Sequence, residues 1–173
     1  TDSEIAHAVS ESPYGPFKHK DVALPARGKE FWDGMCTHNP TIHKTNNEFV
    51  LFYIGSDFTT IRDSTNYLLR RVGFASSKSI EGPWNRSEKP LINAESNNPA
   101  VLVDGASVLL MYRDAPLRIF LDEAKDYRGP YELKNDNVWP KHKLEDFYMF
   151  KMNGEYHLIC EDNIGGISGH ARW

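Results

Sequence analysis

Residues Val72–Trp84, VGFASSKSIEGPW, are one of three versions of the same stretch. Ile5–Phe17 reads IAHAVSESPYGPF and Ile119–Tyr131 reads IFLDEAKDYRGPY, and in each an apolar-rich half leads to Gly-Pro-aromatic at the same offset. Gly-Pro alone is common loop punctuation, but here the aromatic and the preceding strand pattern recur with it. Self-similarity at a period of about 40 to 50 residues marks propellers and solenoids. Each copy reads as a strand, a turn and the start of a second strand. Ile5, His7 and Val9 alternate with the small Ala6 and Ala8, as the two faces of a strand require. The Gly supplies permissive backbone angles, the Pro sets the direction into the next segment, and Phe17, Trp84 or Tyr131 packs the next strand.

A second repeat interleaves with the first. His38-Asn39-Pro40-Thr41-Ile42, Asn97-Asn98-Pro99-Ala100-Val101 and Glu145-Asp146-Phe147-Tyr148-Met149 each open a segment. Each leads to a polar turn (Asn46-Asn47, Asp104-Gly105, Asn153-Gly154) and then an apolar run: Phe49–Tyr53, Val108–Tyr112 and Tyr156–Cys160. Strand, tight turn with Gly or Asn, and strand make a hairpin. The unit is therefore four strands long, with A and B from the hairpin, C from the VGFASS-like half and D from Gly-Pro-aromatic onward. That is a propeller blade, so the expected fold class is an all-β propeller of four-stranded antiparallel blades. The chain reads as one partial propeller domain over 1–173: a half blade at 1–24, complete blades at 36–92 and 96–138, and a partial blade at 144–173. In the last, Ser168-Gly169-His170-Ala171 echoes Ile5-Ala6-His7-Ala8. The first complete blade carries a long polar B–C loop from Gly55 to Arg70, with Asp57, Arg62, Asp63 and Tyr67; loops of that length are usually functional.

Propellers close with four to eight blades, so this strand content implies either a piece of a protein roughly twice as long or association of copies, with a homodimer covering open blade edges. Closure as three blades is the alternative. The 173 residues are 40 % hydrophobic and 25 % charged, an ordinary globular composition, and the formal charge of −4 is mixed along the chain. Mixed charge argues against a nucleic-acid partner. No apolar stretch approaches the roughly 18 residues of a membrane helix, and the N-terminus has no signal-peptide pattern. Cys36 and Cys160 are far apart in sequence and read as reduced, buried thiols rather than a disulfide framework. The compartment stays open between cytoplasmic and periplasmic or secreted.

In a propeller the starts of A strands and the ends of B strands share one face. From the A side come Asp33, His38, Asn39, Asn97, Asn98, Glu145 and Asp146; from the B side come Tyr53, Arg113, Asp114, Glu161 and Asp162. Trp32 and Phe31 are expected near the rim of this polar pocket. Carboxylates in a pocket with aromatic walls suit glycoside hydrolysis, where one acid protonates the leaving oxygen and a second carboxylate activates water or attacks. Amide and carboxylate groups also match sugar hydroxyls, although any single Asp or Glu here is as well explained as a turn cap. Arg113 reads equally as a clamp for a substrate carboxylate or as a rim salt bridge. His38, His43, His142, His157 and His170 lack the close spacing of a zinc site and read as hydrogen-bonding residues, so no metal site is expected.

The segments IAHAVSESPYGPF, WDG, THNPTIH, FVLFYIG, RVGFASSKSIEGPWNRSEKPLI, NNPAV, LLMYRDAP and LEDFYMFKMNGEYHLICED together resemble the five-bladed propeller glycoside hydrolases. The likeness is to the arabinanase, β-xylosidase and invertase superfamily, and above all to its sucrase-like bacterial members. It covers nearly the whole chain, with about three blades present. It implies an oligosaccharide or glycoside substrate and no cofactor, with a structural cation on the axis as the one addition such enzymes sometimes hold. The pattern carries an Asp base or nucleophile at one strand A, an orienting Asp at the next and a Glu acid at a third. Glu145 matches the acid, and Asp146 matches the Asp of a Glu-Asp-Pro form with Phe147 in place of Pro. Asn39-Pro40 and Asn98-Pro99 stand where Asp-Pro is expected, and an amide cannot serve as a general base. The missing carboxylate is then Asp33, Asp114 or a residue of an absent first blade. Catalytic candidates are thus Glu145, Asp33 and Asp114; substrate-binding candidates are Trp32, His38, Asn39, Asn98, Arg113, Asp146, Glu161 and Asp162. The rival reading is a carbohydrate-binding or purely structural propeller fragment without catalysis, which the amides favour.

Overall fold

The computed structural model describes residues 3–45, 47–58, 69–114, 117–141 and 143–162. Arg62, Asp63 and Tyr67 of the long loop, His142, and Ser168–Ala171 with His170 lie outside the described residues. Among those described, every regular element is a strand and every sheet is antiparallel. Strands β1 (Ile5–Val9) and β2 (Lys18–Leu24) pair as a two-stranded sheet. Next come β3 (Cys36–Thr45), β4 (Glu48–Ser56), β5 (Arg71–Ser77) and β6 (Asn85–Arg86), hydrogen-bonded in that order. The third sheet repeats this with β7 (Asn97–Asp104), β8 (Ser107–Arg113), β9 (Ile119–Ala124) and β10 (Glu132–Asn135). Strands β11 (Leu144–Met152) and β12 (Glu155–Asp162) form the fourth.

The Gly-Pro-aromatic repeat is one turn built three times. The amide of each glycine donates to the carbonyl three residues back, Gly15 to Ser12, Gly82 to Ser79 and Gly129 to Asp126, at 3.0, 3.0 and 2.9 Å. Each Gly-Pro peptide is cis, and Gly82 sits at φ +84° with Trp84 beside it. A Cβ there would lie 3.1 Å from the indole Cδ1, so the position favours glycine on both backbone and steric grounds.

Consecutive sheets pack face to face, and the central strands are buried on both sides. That explains why β4 is a continuous apolar run rather than an alternating one. Its Leu51 and Tyr53 join Ile5, Leu24, Trp32 and Ala75 between the first and second sheets. Val50 and Phe52 face the other way and meet Val101, Val108, Leu110, Tyr112 and Tyr127. Between the third and fourth sheets lie Ala100, Met111, Ile119, Leu144, Phe147 and Met149. Full burial of a Val, Leu, Ile, Phe or Met side chain in these layers is worth about 1.5–3 kcal/mol. Cys36 is buried and Cys160 half-buried, both as free thiols.

The register shows how regular the repeat is. Thr41 faces Phe52 across β3 and β4, Ala100 faces Met111 across β7 and β8, and Tyr148 faces Ile159 across β11 and β12. Phe52 and the Ala100–Met111 pair pack on the next sheet. Tyr148 and Ile159 occupy the same positions and are 61 % and 62 % exposed.

Candidate functional site

Strands β3, β7 and β11 open with the same irregularity. The pairing slips between His38 and Thr41, between Asn97 and Ala100, and between Glu145 and Tyr148. The first of the two residues inside each slip has a left-handed backbone: Asn39 at φ 48°, Asn98 at 51° and Asp146 at 51°. Asn and Asp tolerate that region better than other non-glycine residues, because their short polar side chains bond locally. A bulge re-aims side chains at the end of a ladder. Here it turns three successive blades toward one open groove of about 470 Å³, lined by Asn39–Ile42, Asn98, Pro99 and Asp146–Tyr148.

A connected polar arc runs from this groove into the interface of the third and fourth sheets. The Asn98 amide Nδ2 donates to Asp146 Oδ1. Its Oδ1 accepts from Arg113 Nε at 2.9 Å, and Arg113 Nη2 donates to Glu145 Oε2 at 2.5 Å. Arg113 Nη1 also reaches the Asp114 carbonyl at 3.4 Å. Asn98, Arg113, Asp114 and Glu145 are all buried, whereas Asp146 is exposed in the groove. The Asp114 carboxylate is committed to Arg118, accepting from its backbone N–H and from Nε, each at 2.8 Å. Glu161 and Asp162 lie across the ladder from Glu145 and Leu144. The arc thus brings together Glu145, Asp146, Asn98 and Arg113, with Asp114 adjoining in sequence.

At the β3 corner Asn39 lines the groove and His38 is half-buried. The His38 imidazole is held below its usual range, first by burial and then by the Arg70 guanidinium, against a hydrogen bond with Asn39. His43 is lowered by burial alone, and its Nε2 lies 3.0 Å from Thr41 Oγ1. Among the described residues no group of three or more His, Cys, Asp or Glu side chains is placed to hold a metal ion.

Four expected members of the pocket, Asp33, Tyr53, Trp32 and Phe31, lie elsewhere. Asp33 is 0 % exposed: Oδ1 accepts from Arg27 Nε at 2.6 Å, and Oδ2 from the Tyr53 hydroxyl at 2.7 Å and Arg86 Nη1 at 3.2 Å. Burial, and then Asp33, pushes the Tyr53 phenol far above its usual range. Trp32 is core rather than rim, stacked on Tyr53 with centroids 5.4 Å apart and donating its Nε1–H to the Ser87 carbonyl at 3.1 Å. Phe31 lies under the Arg27 guanidinium, 4.3 Å from the ring centroid. The reason is a slot in the second sheet: a Cβ on Gly73 would come within 2.2 Å of the Trp32 ring and one on Gly55 within 2.5 Å. Two glycines in adjacent apolar strands were the signal for a buried indole. The groove also has a wall that residue-type reasoning passed over, the exposed Tyr148, which stands where the other blades carry Thr41 and Ala100.

No protein-family model matches the sequence, and no curated protein matches it. Solved structures do. A family 117 glycoside hydrolase of the marine bacterium Zobellia galactanivorans aligns with 92 % of this chain and 52 % of its own, at 19 % identity and a TM-score of 0.68. The inulosucrase from Halalkalicoccus jeotgali, bound to kestose, aligns over 94 % of this chain and 50 % of its own, at 18 % identity and TM-score 0.63. A thermostable family 43 glycoside hydrolase aligns over 85 % and 53 %, at 18 % identity and TM-score 0.60. The fold is therefore that of the propeller glycoside hydrolases. The chain spans about half the length of the structures it matches.

Proposed function

We propose that this chain contributes the acid half of a glycoside hydrolase propeller acting on an oligosaccharide, with Glu145 as general acid. The observation that carries the reading is the bulged start of β11, which sets Glu145 and Asp146 side by side. Asp146 faces the groove, and Glu145 is held from behind by Arg113. The solved neighbours supply the chemical class, since two are glycoside hydrolases and the third is an inulosucrase. In this reading the substrate lies in the groove, with its hydroxyls on Asn39 and Asp146 and a sugar face against Tyr148. Glu145 delivers a proton to the departing oxygen. The second carboxylate is assigned to a residue of a blade that this chain, about half the length of its structural matches, does not contain, because both oxygens of the buried Asp114 already accept from Arg118. Asp33 is set aside, because both of its oxygens are occupied and none of its surface is exposed.

The test compares wild type with Glu145→Gln on two substrates that differ only in leaving group. General acid catalysis is worth about 10²- to 10⁴-fold, and it matters most when the departing oxygen is a poor leaving group. A loss of that size on an alkyl or sugar leaving group, shrinking on a nitrophenyl one, is the expected result. Equal rates on both would remove Glu145 from its role. A second reading, binding without turnover, is favoured by the amides Asn39 and Asn98 in the groove. It predicts oligosaccharide affinity by calorimetry that Glu145→Gln leaves intact, with no hydrolysis by either protein.

A further inference from the structure

The amide at position 98 stands where the resemblance leads one to expect a carboxylate, and the polar arc accounts for it. Asn98 has to do two opposite things. Its Oδ1 accepts from Arg113 Nε at 2.9 Å while its Nδ2 donates to Asp146 Oδ1. Only a side chain with one acceptor and one donor end can satisfy both neighbours, and a carboxylate has no donor to offer when ionised. The backbone is fixed as well, with φ at 51° and the Asn98 N–H donating to Asn97 Oδ1 at 3.0 Å. Arg113 then carries the placement onward. Its guanidinium is a rigid planar fork, so anchoring Nε on Asn98 sets where Nη2 meets Glu145 Oε2.

We infer that Asn98 is a positioning residue that ties Asp146 directly, and Glu145 through Arg113, into one fixed geometry, and that it is an amide because this link needs a donor and an acceptor at once. The inference rests on the proposed role of Glu145 only for its catalytic consequence; the link itself is a statement about side chains. It also reverses a natural expectation. If Asn98 were merely a lost catalytic carboxylate, Asn98→Asp would restore the family's Asp-Pro pattern and improve the protein. As a connector, Asn98→Asp sets a carboxylate directly against that of Asp146, with Arg113 only on the far side of position 98.

The experiment uses the full chain and three variants: Asn98→Asp, Asn98→Ala and the swap Asn98→Asp with Asp146→Asn. The swap moves the donor to position 146 and lets the carboxylate introduced at position 98 accept from both neighbours. Thermal melts at neutral and acid pH are the primary readout. Asn98→Asp should melt about 4 °C or more below wild type at neutral pH. The gap should close in acid, where one of the facing carboxylates takes up a proton, and close at both pH values in the swap. Asn98→Ala should show a deficit at both. A merely structural asparagine would give no pH dependence and no rescue by the swap. Either finding, or a neutral-pH melt of Asn98→Asp equal to wild type, overturns the connector. On a glycoside substrate, kcat/KM should fall about 10-fold or more in Asn98→Asp; a rise would also overturn it. If this chain, which carries only the acid half, turns over no substrate by itself, the melts alone decide the link.

Discussion

Two carboxylate–arginine clusters in this chain invite opposite readings. Around Asp33, two guanidiniums and a phenol converge on one carboxylate sealed between the first and second sheets. Around Arg113, one guanidinium joins a buried carboxylate to an amide that in turn holds an exposed carboxylate in a groove. The residue types are nearly the same. What separates them is access, and with it what each can do. The first cluster ties the loop between β2 and β3 to the second sheet and leaves no oxygen for a substrate, whereas the second presents Asp146 to solvent and holds Glu145 one residue behind it.

The sharpest way to break this contrast is at Asp33. Asp33→Ala strands Arg27 and Arg86 in a buried site, and removing one partner of a buried ion pair costs about 3–5 kcal/mol. Urea denaturation should show that loss, with the oligosaccharide binding proposed for the groove unchanged in whatever fraction stays folded. Gly73→Ala attacks the same cluster through its packing. The new methyl has to displace the Trp32 ring, and overpacking of this kind costs about 1–3 kcal/mol. A variant as stable as wild type would mean the indole is not seated against this strand. In the other cluster, Arg113→Ala removes the guanidinium that faces the buried Glu145 carboxylate and is expected to cost about 1.5–3 kcal/mol, less than Asp33→Ala because one arginine rather than two is involved. If it costs as much as Asp33→Ala, the two clusters are both structural and the contrast disappears.

The smallest effect concerns another buried carboxylate. Asp122 is pushed above the usual carboxylate range by burial, against a single hydrogen bond from the Tyr112 hydroxyl at 3.3 Å, and its Oδ1 has no hydrogen-bond partner among the described residues. A folded-state pKa above the unfolded one means its contribution to stability is complete below the unfolded value and lost as pH rises through the folded value. Asp122→Asn should therefore melt above wild type at neutral pH and no higher in acid. A constant difference across pH would show that the change acts through packing rather than charge.

Much of the architecture was legible in the residues because it is local. The Gly-Pro-aromatic turn, the hairpin turns and the doubly buried apolar runs each report backbone preferences within a few positions, and repetition ties them into blades. The groove was legible in part for the same reason. Asn39, Asn98 and Asp146 are the residue types that accept the left-handed bulge on which the groove is built. Trp32 was misplaced because an indole beside a loop aspartate looks alike at a rim or in a core. The choice was made by Gly55 and Gly73, on strands later in the chain.

By itself, then, the sequence determined that this protein is a series of antiparallel blade repeats, two of them complete, and which residues begin each inner strand. Only the tertiary structure decided which carboxylates are sealed and which face a groove. The bonds that settle it, Arg113 to Glu145 across 32 positions, Asn98 to Asp146 across 48 and Arg86 to Asp33 across 53, join segments far apart in the chain. Chain-local propensity carries no information about such pairings, which depend on how neighbouring sheets stack and how much water their contact excludes.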